Sequence, residues 1–360
     1  MYNERMTERV KQLKEKENII ILGIESSCDE TSIAVIKNGT EVLSNVVSSQ
    51  IDIHAEFGGV VPEIASRNHI VNIDWVYKKA IKDAGIQPKD IDAIAVTYGP
   101  GLVGALLVGL NFAKGLAYGL DVPLIKVNHI AGHICANFID FEELKPPFVC
   151  LIVSGGHTAI VLQGNYIEHK LYGATLDDAV GESFDKVARI LGLKYPGGPQ
   201  VDKLARSGQN NIMFCKSHIF ENPYDCSYSG LKTAVINYVH NCEQKGVDYN
   251  VNDICASFQS QAFDDLIGKT IDVALKTNVK KIALAGGVAA NSYLREQMSK
   301  RAESVGVKVY YPQMSLCGDN AAMIASAGYY KLKYSDFDVD LSINAQPTLP
   351  LDNTKSFLAQ

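Results

Sequence analysis

The sequence predicts an α/β protein built from two copies of one design. Strand-like and helix-like segments alternate from residue 19 onward. An apolar strand, a small polar turn and an alternating strand occur twice, as IIILGIESSCDETSIAVIK (19–37) and PFVCLIVSGGHTAIVLQ (147–163). The copies lie about 130 residues apart, which reads as an internal duplication. The chain has 360 residues, 47% of them apolar and 21% charged, enough for one large or two medium domains. Two domains are expected, with no flexible linker or low-complexity segment.

In the first copy, 19–24 and 31–37 read as strands, and Asn38-Gly39 is a two-residue hairpin signal into a third. Ile73, Val76, Tyr77, Ala80, Ile81 and Ala84 follow helical spacing. A buried strand at 91–98 leads into a glycine-rich helix over 102–120. The second copy continues with a helix within 175–193, a helix-rich stretch over 229–276, a strand at 281–286 and a helix after GGVAANSY. A strand at 307–312 and a helix from GDNAAMIASAGYYKL close the pattern.

Eight cysteines (Cys28, Cys135, Cys150, Cys215, Cys226, Cys242, Cys255 and Cys317) are scattered without a Cys-x-x-Cys pair. Reduced thiols in a cytoplasmic protein are expected, not a disulfide scaffold or a zinc knuckle. The N-terminal MYNERMTERVKQLKEKEN lacks the apolar core of a signal peptide and reads as an exposed helical extension over 1–18. The most membrane-like segment, 94–120, is broken by Pro100, Asn111 and Lys114, so a buried strand, turn and helix is expected there and no membrane association. A net charge of −6 offers nucleic acid no overall attraction, and any RNA role needs local basic patches or a partner.

The turns ESSCDET and SGGHT place small residues and hydroxyls where backbone N–H groups can approach a phosphate, though each could be only a turn. LAGGVAANSYLREQM opens a helix after a buried strand, again a place for an anion or a nucleoside. Asn291 there could bond a ligand or be an ordinary polar surface group, and Pro196-Gly197-Gly198-Pro199 could be simply a tight turn.

His129 and His133 in NHIAGHICANF stand four apart, on one face of a helix. Eight histidines in 360 residues would give such a pair by chance roughly 15% of the time, so an accidental pair remains open. A zinc protease would carry glutamate directly after the first histidine; Ile130 stands there instead, and the peptidase reading loses its general base. A third ligand would have to come from afar. Asp319 in CGDNAAMIA would complete a two-histidine, one-carboxylate set suited to iron(II) or zinc, or it could be a helix N-cap.

Nine segments in unbroken order from about residue 19 to 333 resemble one family. They are GIESSCDETSIAV, HAEFGGVVPEIASRNH, VTYGPGLVGALLVG, NHIAGHICA, LIVSGGHTAIV, GESFDKVARILGLKYPGGPQVDKLA, SGLKTAV, ALAGGVAANSYLR and CGDNAAMIA. The family is the bacterial tRNA threonylcarbamoyltransferases (TsaD), once described as O-sialoglycoprotein endopeptidases. The resemblance implies an actin-like ATPase fold, two duplicated lobes with a nucleotide cleft between them: lobe I over 19–130 plus 319–345, lobe II over 131–318. It implies passage of a threonylcarbamoyl group from threonylcarbamoyl-AMP to N6 of the adenosine at position 37, beside the anticodon, in tRNAs reading codons that begin with A, with release of AMP. Residue by residue it implies His129, His133 and Asp319 as ligands of one iron(II) per chain, zinc being the alternative. Ile152, Val153, Ser154, Gly155 and Gly156 match the substrate loop, and Asp185, Gly198, Asp202 and Asn291 match positions around the nucleoside. ATP with Mg is a further occupant to consider. The implied partners are tRNA, a smaller paralogue lacking the metal ligands and a P-loop ATPase.

An acyl-adenylate is already activated, so the protein mainly positions donor and acceptor and stabilises charge on the carbonyl and phosphate. Asp29 and Glu30 are candidates for accepting the amine proton or orienting the ligand. Two departures stand out: the 18-residue extension, and Cys226-Ser227-Tyr228 where relatives commonly carry Phe-Ser-Phe, which places local packing in question. The competing readings are an ATP-hydrolysing kinase or chaperone of the same fold with a purely structural histidine pair, and a non-catalytic scaffold.

Overall fold

A computed structural model describes residues 2–214 and 221–351. The first part of the chain runs α1 (Tyr2–Lys14), β1 (Ile20–Glu25), β2 (Glu30–Lys37), β3 (Glu41–Ser49), α2 (Ile51–Ala55), α3 (Pro62–Ala84), β4 (Ala93–Gly99), α4 (Val103–Leu120), β5 (Leu124–Asn128) and α5 (His129–Asp140). Then follow β6 (Phe148–Val153), β7 (Thr158–Gln163), β8 (His169–Ala174), α6 (Val180–Ile190), α7 (Gly197–Ala205), α8 (Ser229–Lys245) and α9 (Val251–Lys276). The chain closes with β9 (Lys281–Ala285), α10 (Ser292–Glu303), β10 (Lys308–Tyr310), α11 (Met314–Cys317) and α12 (Ala321–Tyr334).

Two five-stranded sheets carry the duplication. Their orders are β3-β2-β1-β4-β5 and β10-β9-β6-β7-β8, the same arrangement twice. In each, an antiparallel hairpin (Ile20 opposite Lys37, Phe148 opposite Gln163) is extended on its first strand by two parallel strands. The Asn38-Gly39 signal is a hairpin turn with both residues at positive φ, +54° and +79°, but Lys37 pairs with Glu41, so the loop is the three residues 38–40 and not two.

The chain divides into two units, residues 1–146 with 164–169 and 312–360, and residues 147–163 with 170–311. The division expected at 130/131 and 318/319 is thus displaced. Residue 130 lies inside α5, and α5 belongs to the first unit because it packs along α12. The extension corrects a second expectation. It is helical but not exposed: Tyr2, Met6, Val10 and Leu13 form a buried stripe, Tyr2, Met6 and Val10 pack with Val339, and the Arg5 guanidinium grips the Asp121 carboxylate with two hydrogen bonds. The four charged turns of sequence hid one apolar side.

Helix α4 is long and apolar enough by composition to cross a membrane. It instead lays Ala105, Leu106, Leu110 and Ala113 against the first sheet, packing on β4 and α3. Cys226 and Tyr228 are buried, with Tyr228 donating to the Ala262 carbonyl and both Tyr228 N–H and the Ser227 hydroxyl held by Asp177, so the local packing is satisfied. The seven described cysteines are free thiols; Cys215 lies outside the described residues.

Alternation along β1 decides where the site helices sit. Leu22 and Ile24 point into the core under α3 and α4, while Ile21 and Gly23 face α12. A methyl at Gly23 would stand 2.2 Å from the Ala321 carbonyl oxygen, so the helix start lies directly on bare backbone. On α5, a methyl at Gly132 would meet the Ile324 side chain at 2.7 Å. Gly23→Ala is therefore expected to cost at least 1–3 kcal/mol, because the obstacle is backbone, and Gly132→Ala less, because the Ile324 methyl can turn away. Urea unfolding of the two variants measures the order; equal stabilities would contradict this packing.

Candidate metal centre and substrate loop

Asn128 caps α5, its side-chain oxygen accepting from the N–H groups of Ile130 and Ala131, so His129 opens the helix and His133 follows one turn on. The two imidazole rings lie 4.7 Å apart, centroid to centroid, nearly perpendicular. Asn320, not Asp319, is the N-cap of α12: its side chain accepts from Met323 N–H, and the Ser32 hydroxyl oxygen accepts from Ala321 N–H. The capping reading of Asp319 is therefore corrected. Its carboxylate lies 3.1 Å from His133 Nε2 and 3.5 Å from His129 Nε2. One donor atom from each residue falls within 4.8 Å of the others.

Both ring nitrogens of the fully buried His133 lack a hydrogen-bond partner among the described residues. An orphaned buried imidazole beside a carboxylate is costly unless something else binds it. Two imidazole nitrogens and a carboxylate oxygen fit a divalent iron or zinc ion and leave further positions open. These three residues could hold such an ion.

Behind them stands a residue that sequence reasoning missed. Glu25, at the end of β1 and fully buried, accepts from His129 Nδ1 at 3.0 Å, from the Thr97 hydroxyl and from Ser27 N–H. This fixes the tautomer that turns Nε2 toward Asp319. An acid closing the otherwise apolar run IIILGI was the available signal. Burial opposes ionisation of Glu25, yet the His129 charge and the hydrogen bonds hold its carboxyl below the usual range. Burial likewise opposes protonation of His129, but Glu25 and Asp319 outweigh it and raise the ring to about 9. Asp29 and Glu30 lie in the same acidic neighbourhood. Burial, then the charges of Asp29 and Asp319, push the Glu30 carboxyl well above its usual range.

The candidate substrate residues gather within the second unit. Ile152 and Val153 end β6, and Ser154, Gly155 and Gly156 turn into β7, the Ser154 hydroxyl accepting from His157 N–H at 3.0 Å. Neither glycine needs positive φ; both are exposed, with open space where a Cβ would stand. One helix start lies against this turn, and two more are tied to the other candidate residues. Gly181, in the first turn of α6, lies against the Ser154 carbonyl. The Pro-Gly-Gly-Pro stretch is the start of α7, not merely a turn, and Asp185 accepts from Gly197 N–H at 2.7 Å. Asp202 accepts from the Ser292 hydroxyl at 2.8 Å, tying α7 to the start of α10. Asn291 is no surface group: it is buried, caps α10 through Leu294 N–H, and donates to Gln259 Oε1 at 2.7 Å. Gly286, at φ +93°, lets β9 end against the Val153 carbonyl.

Residues 41–326 match the tRNA N6-adenosine threonylcarbamoyltransferase (TsaD) family. A tRNA N6-adenosine threonylcarbamoyltransferase of Clostridium perfringens is 56% identical over 333 residues, 92% of this chain and 98% of the relative. One from Caldicellulosiruptor saccharolyticus is 52% identical over 337 residues, 94% of this chain and 100% of the relative. The chain belongs to the TsaD family. Solved structures agree on the fold: T. kodakarensis HypF superposes with TM-score 0.60 at 16% identity over 88% of this chain and 47% of that one. The activator of 2-hydroxyisocaproyl-CoA dehydratase from Clostridium difficile superposes with TM-score 0.52 at 14% identity, over 88% and 96%. This TsaD chain therefore has the actin-like ATPase fold.

The TsaD family is metal-dependent, and the two-histidine, one-aspartate cluster is the part of this chain able to carry that property. Glu25→Gln is expected to weaken iron(II) or zinc binding 10–100-fold, measured by chelator competition. In the metal-free chain the imidazolium of His129 contributes stability that is full below about 6.5, the unfolded value, and lost as pH rises through about 9. Thermal melts of metal-free protein between those limits should fall with pH, and His129→Gln should flatten that slope.

Proposed function

We propose that this chain transfers the threonylcarbamoyl group from threonylcarbamoyl-AMP to N6 of adenosine 37 in tRNAs reading codons that begin with A, releasing AMP. The observation that carries the proposal is the orphaned His133 imidazole beside His129 and Asp319, in a chain 52–56% identical to tRNA N6-adenosine threonylcarbamoyltransferases. In the reaction the N6 amine forms a bond to the carbamoyl carbon, the carbon–oxygen bond to the phosphate breaks, and the amine proton leaves. A metal held by His129, His133 and Asp319, iron(II) or zinc, would supply Lewis-acid polarisation and a template for the acyl donor.

The chain's own groups have assigned tasks. Exposed amides at Gly155 and Gly156, at the end of the Ile152-Val153 strand, hold the phosphate with the Ser154 hydroxyl. Asp185 and Gly198 shape the first turn of α7, and Asp202 and Asn291 present the edge of α10 to the nucleoside. The Asp29–Glu30 pair shares a hydrogen bond, so a proton can pass within it. Glu30, with its raised carboxyl, serves as the donor side, which leaves Asp29 as the acceptor for the amine proton. A smaller paralogue and a P-loop ATPase are the proposed partners, tRNA the substrate, and the cytoplasm the location.

The test incubates the chain and these partners with tRNA, threonylcarbamoyl-AMP and iron(II), followed by nuclease digestion and mass spectrometry. Threonylcarbamoyladenosine is the expected product, lost in His133→Ala together with stoichiometric metal. No product with demonstrably active partners would overturn the assignment. The double variant Asp29→Asn, Glu30→Gln is expected to transfer at least 100-fold more slowly with bound substrate unchanged; undiminished turnover would remove the pair from the mechanism.

A further inference from the structure

A cavity lies wholly in the first unit, away from the ligand face of α5. It has a volume of about 170 Å³, and its floor is the other side of that helix, Ala131 and Cys135. Two lysines face it, Lys126 from β5 and Lys331 from α12. The described residues that line it include no carboxylate. Lys331 donates to the Lys126 backbone carbonyl at 2.8 Å, which leaves two of its ammonium protons, and Lys126 stands 5.7 Å from the centre of the Tyr98 ring. The Asp340 carboxylate acts on Lys126 only through space and is itself held by Ser342. Burial, then the charge of Lys126, brings Lys331 down to about 8, so the half-buried Lys331 ammonium is repelled by the exposed Lys126.

The opposite wall is built and not incidental. Leu349, Pro350 and Leu351 close the cavity, and the irregular segment leading to them is pinned three times. Gln346 N–H donates to the Tyr98 carbonyl at 2.7 Å, Gly101 N–H to the Pro347 carbonyl at 3.1 Å, and the Asn128 amide to the Pro350 carbonyl at 3.2 Å. Tyr166, stacked on both Tyr330 and Tyr334 at 4.7 and 4.6 Å, forms the rim. Two like charges lining one cavity, with no carboxylate among its described lining residues, cost stability, and an anion that neutralises both removes that cost.

We propose that this cavity binds a phosphate dianion, either inorganic phosphate or a small phosphate monoester. Two ammonium groups match a dianion better than a carboxylate. The volume lies below the roughly 300 Å³ at which pockets begin to take drug-sized ligands, and so suits a small anion better than a whole nucleotide.

Equilibrium dialysis of the metal-loaded chain against labelled inorganic phosphate, and separately glycerol 3-phosphate, at constant ionic strength tests the site. One saturable class is expected to persist in His133→Ala, which separates it from the metal centre. That class is expected to weaken at least tenfold in Lys126→Met, whose melting temperature should match the parent because Met keeps the apolar stem. Binding of inorganic phosphate alone identifies the free ion as ligand; tighter binding of glycerol 3-phosphate identifies the monoester. No saturable class, equal affinity in Lys126→Met, or equally tight binding of acetate would overturn the proposal.

Discussion

The contact on which the candidate metal centre depends is the seating of α12 on bare backbone. At Gly23 the start of the helix lies against β1 with no room for a side chain, and at Gly132 α5 closes on Ile324 from the other direction. These approaches bring Asp319, one residue before the cap, to within 3.5 Å of both histidines, which belong to a helix nearly 190 positions earlier in the chain. Close packing transmits any added volume directly to the site, since interiors this dense cannot absorb a methyl without moving something. The same seating supplies capping: the Ser32 hydroxyl on β2 satisfies the Ala321 N–H and thereby leaves Asn320 to cap and Asp319 to face the histidines.

Electrostatics then sharpen what packing has assembled. A fully buried carboxylate such as Glu25 is tolerated only because it is paired and hydrogen-bonded by His129, Thr97 and Ser27. Its partner His129 is correspondingly drawn toward the protonated form in the absence of metal, so ion uptake has to displace a proton and is coupled to pH. His133 has the Asp319 carboxylate 3.1 Å from Nε2 but no carboxylate behind it on Nδ1, and neither ring nitrogen makes a hydrogen bond among the described residues. One histidine is thus oriented by a carboxylate behind it while the other waits for a ligand in front.

The second unit solves a different problem with the same topology. Its hairpin ends in an exposed glycine turn where the first unit's hairpin ends in acids, and the start of α6 lies against that turn through Gly181. Helix N-termini and open backbone amides suit an anionic phosphate, whereas carboxylates and imidazoles suit a cation. Duplication followed by divergence of two turns has placed complementary chemistry on one repeated scaffold.

Much of this was readable from the linear chain. Hydrophobic alternation, the Asn38-Gly39 turn and the repeat of one hairpin determined an α/β fold with two matching sheets, because strand and helix periods are local properties. The four-residue spacing of His129 and His133 determined that both would share a helix face. Three matters were decided only by tertiary structure. The charged extension buries Tyr2, Met6, Val10 and Leu13, since its apolar stripe has meaning only against Val339. The boundary between units falls after α5, not within it, because that helix finds its packing partner in α12. Asp319 faces the histidines instead of capping a helix, and Glu25 stands behind them. Ligand sets drawn from distant segments depend on which surfaces can approach without side chains between them, and no local pattern encodes that distance.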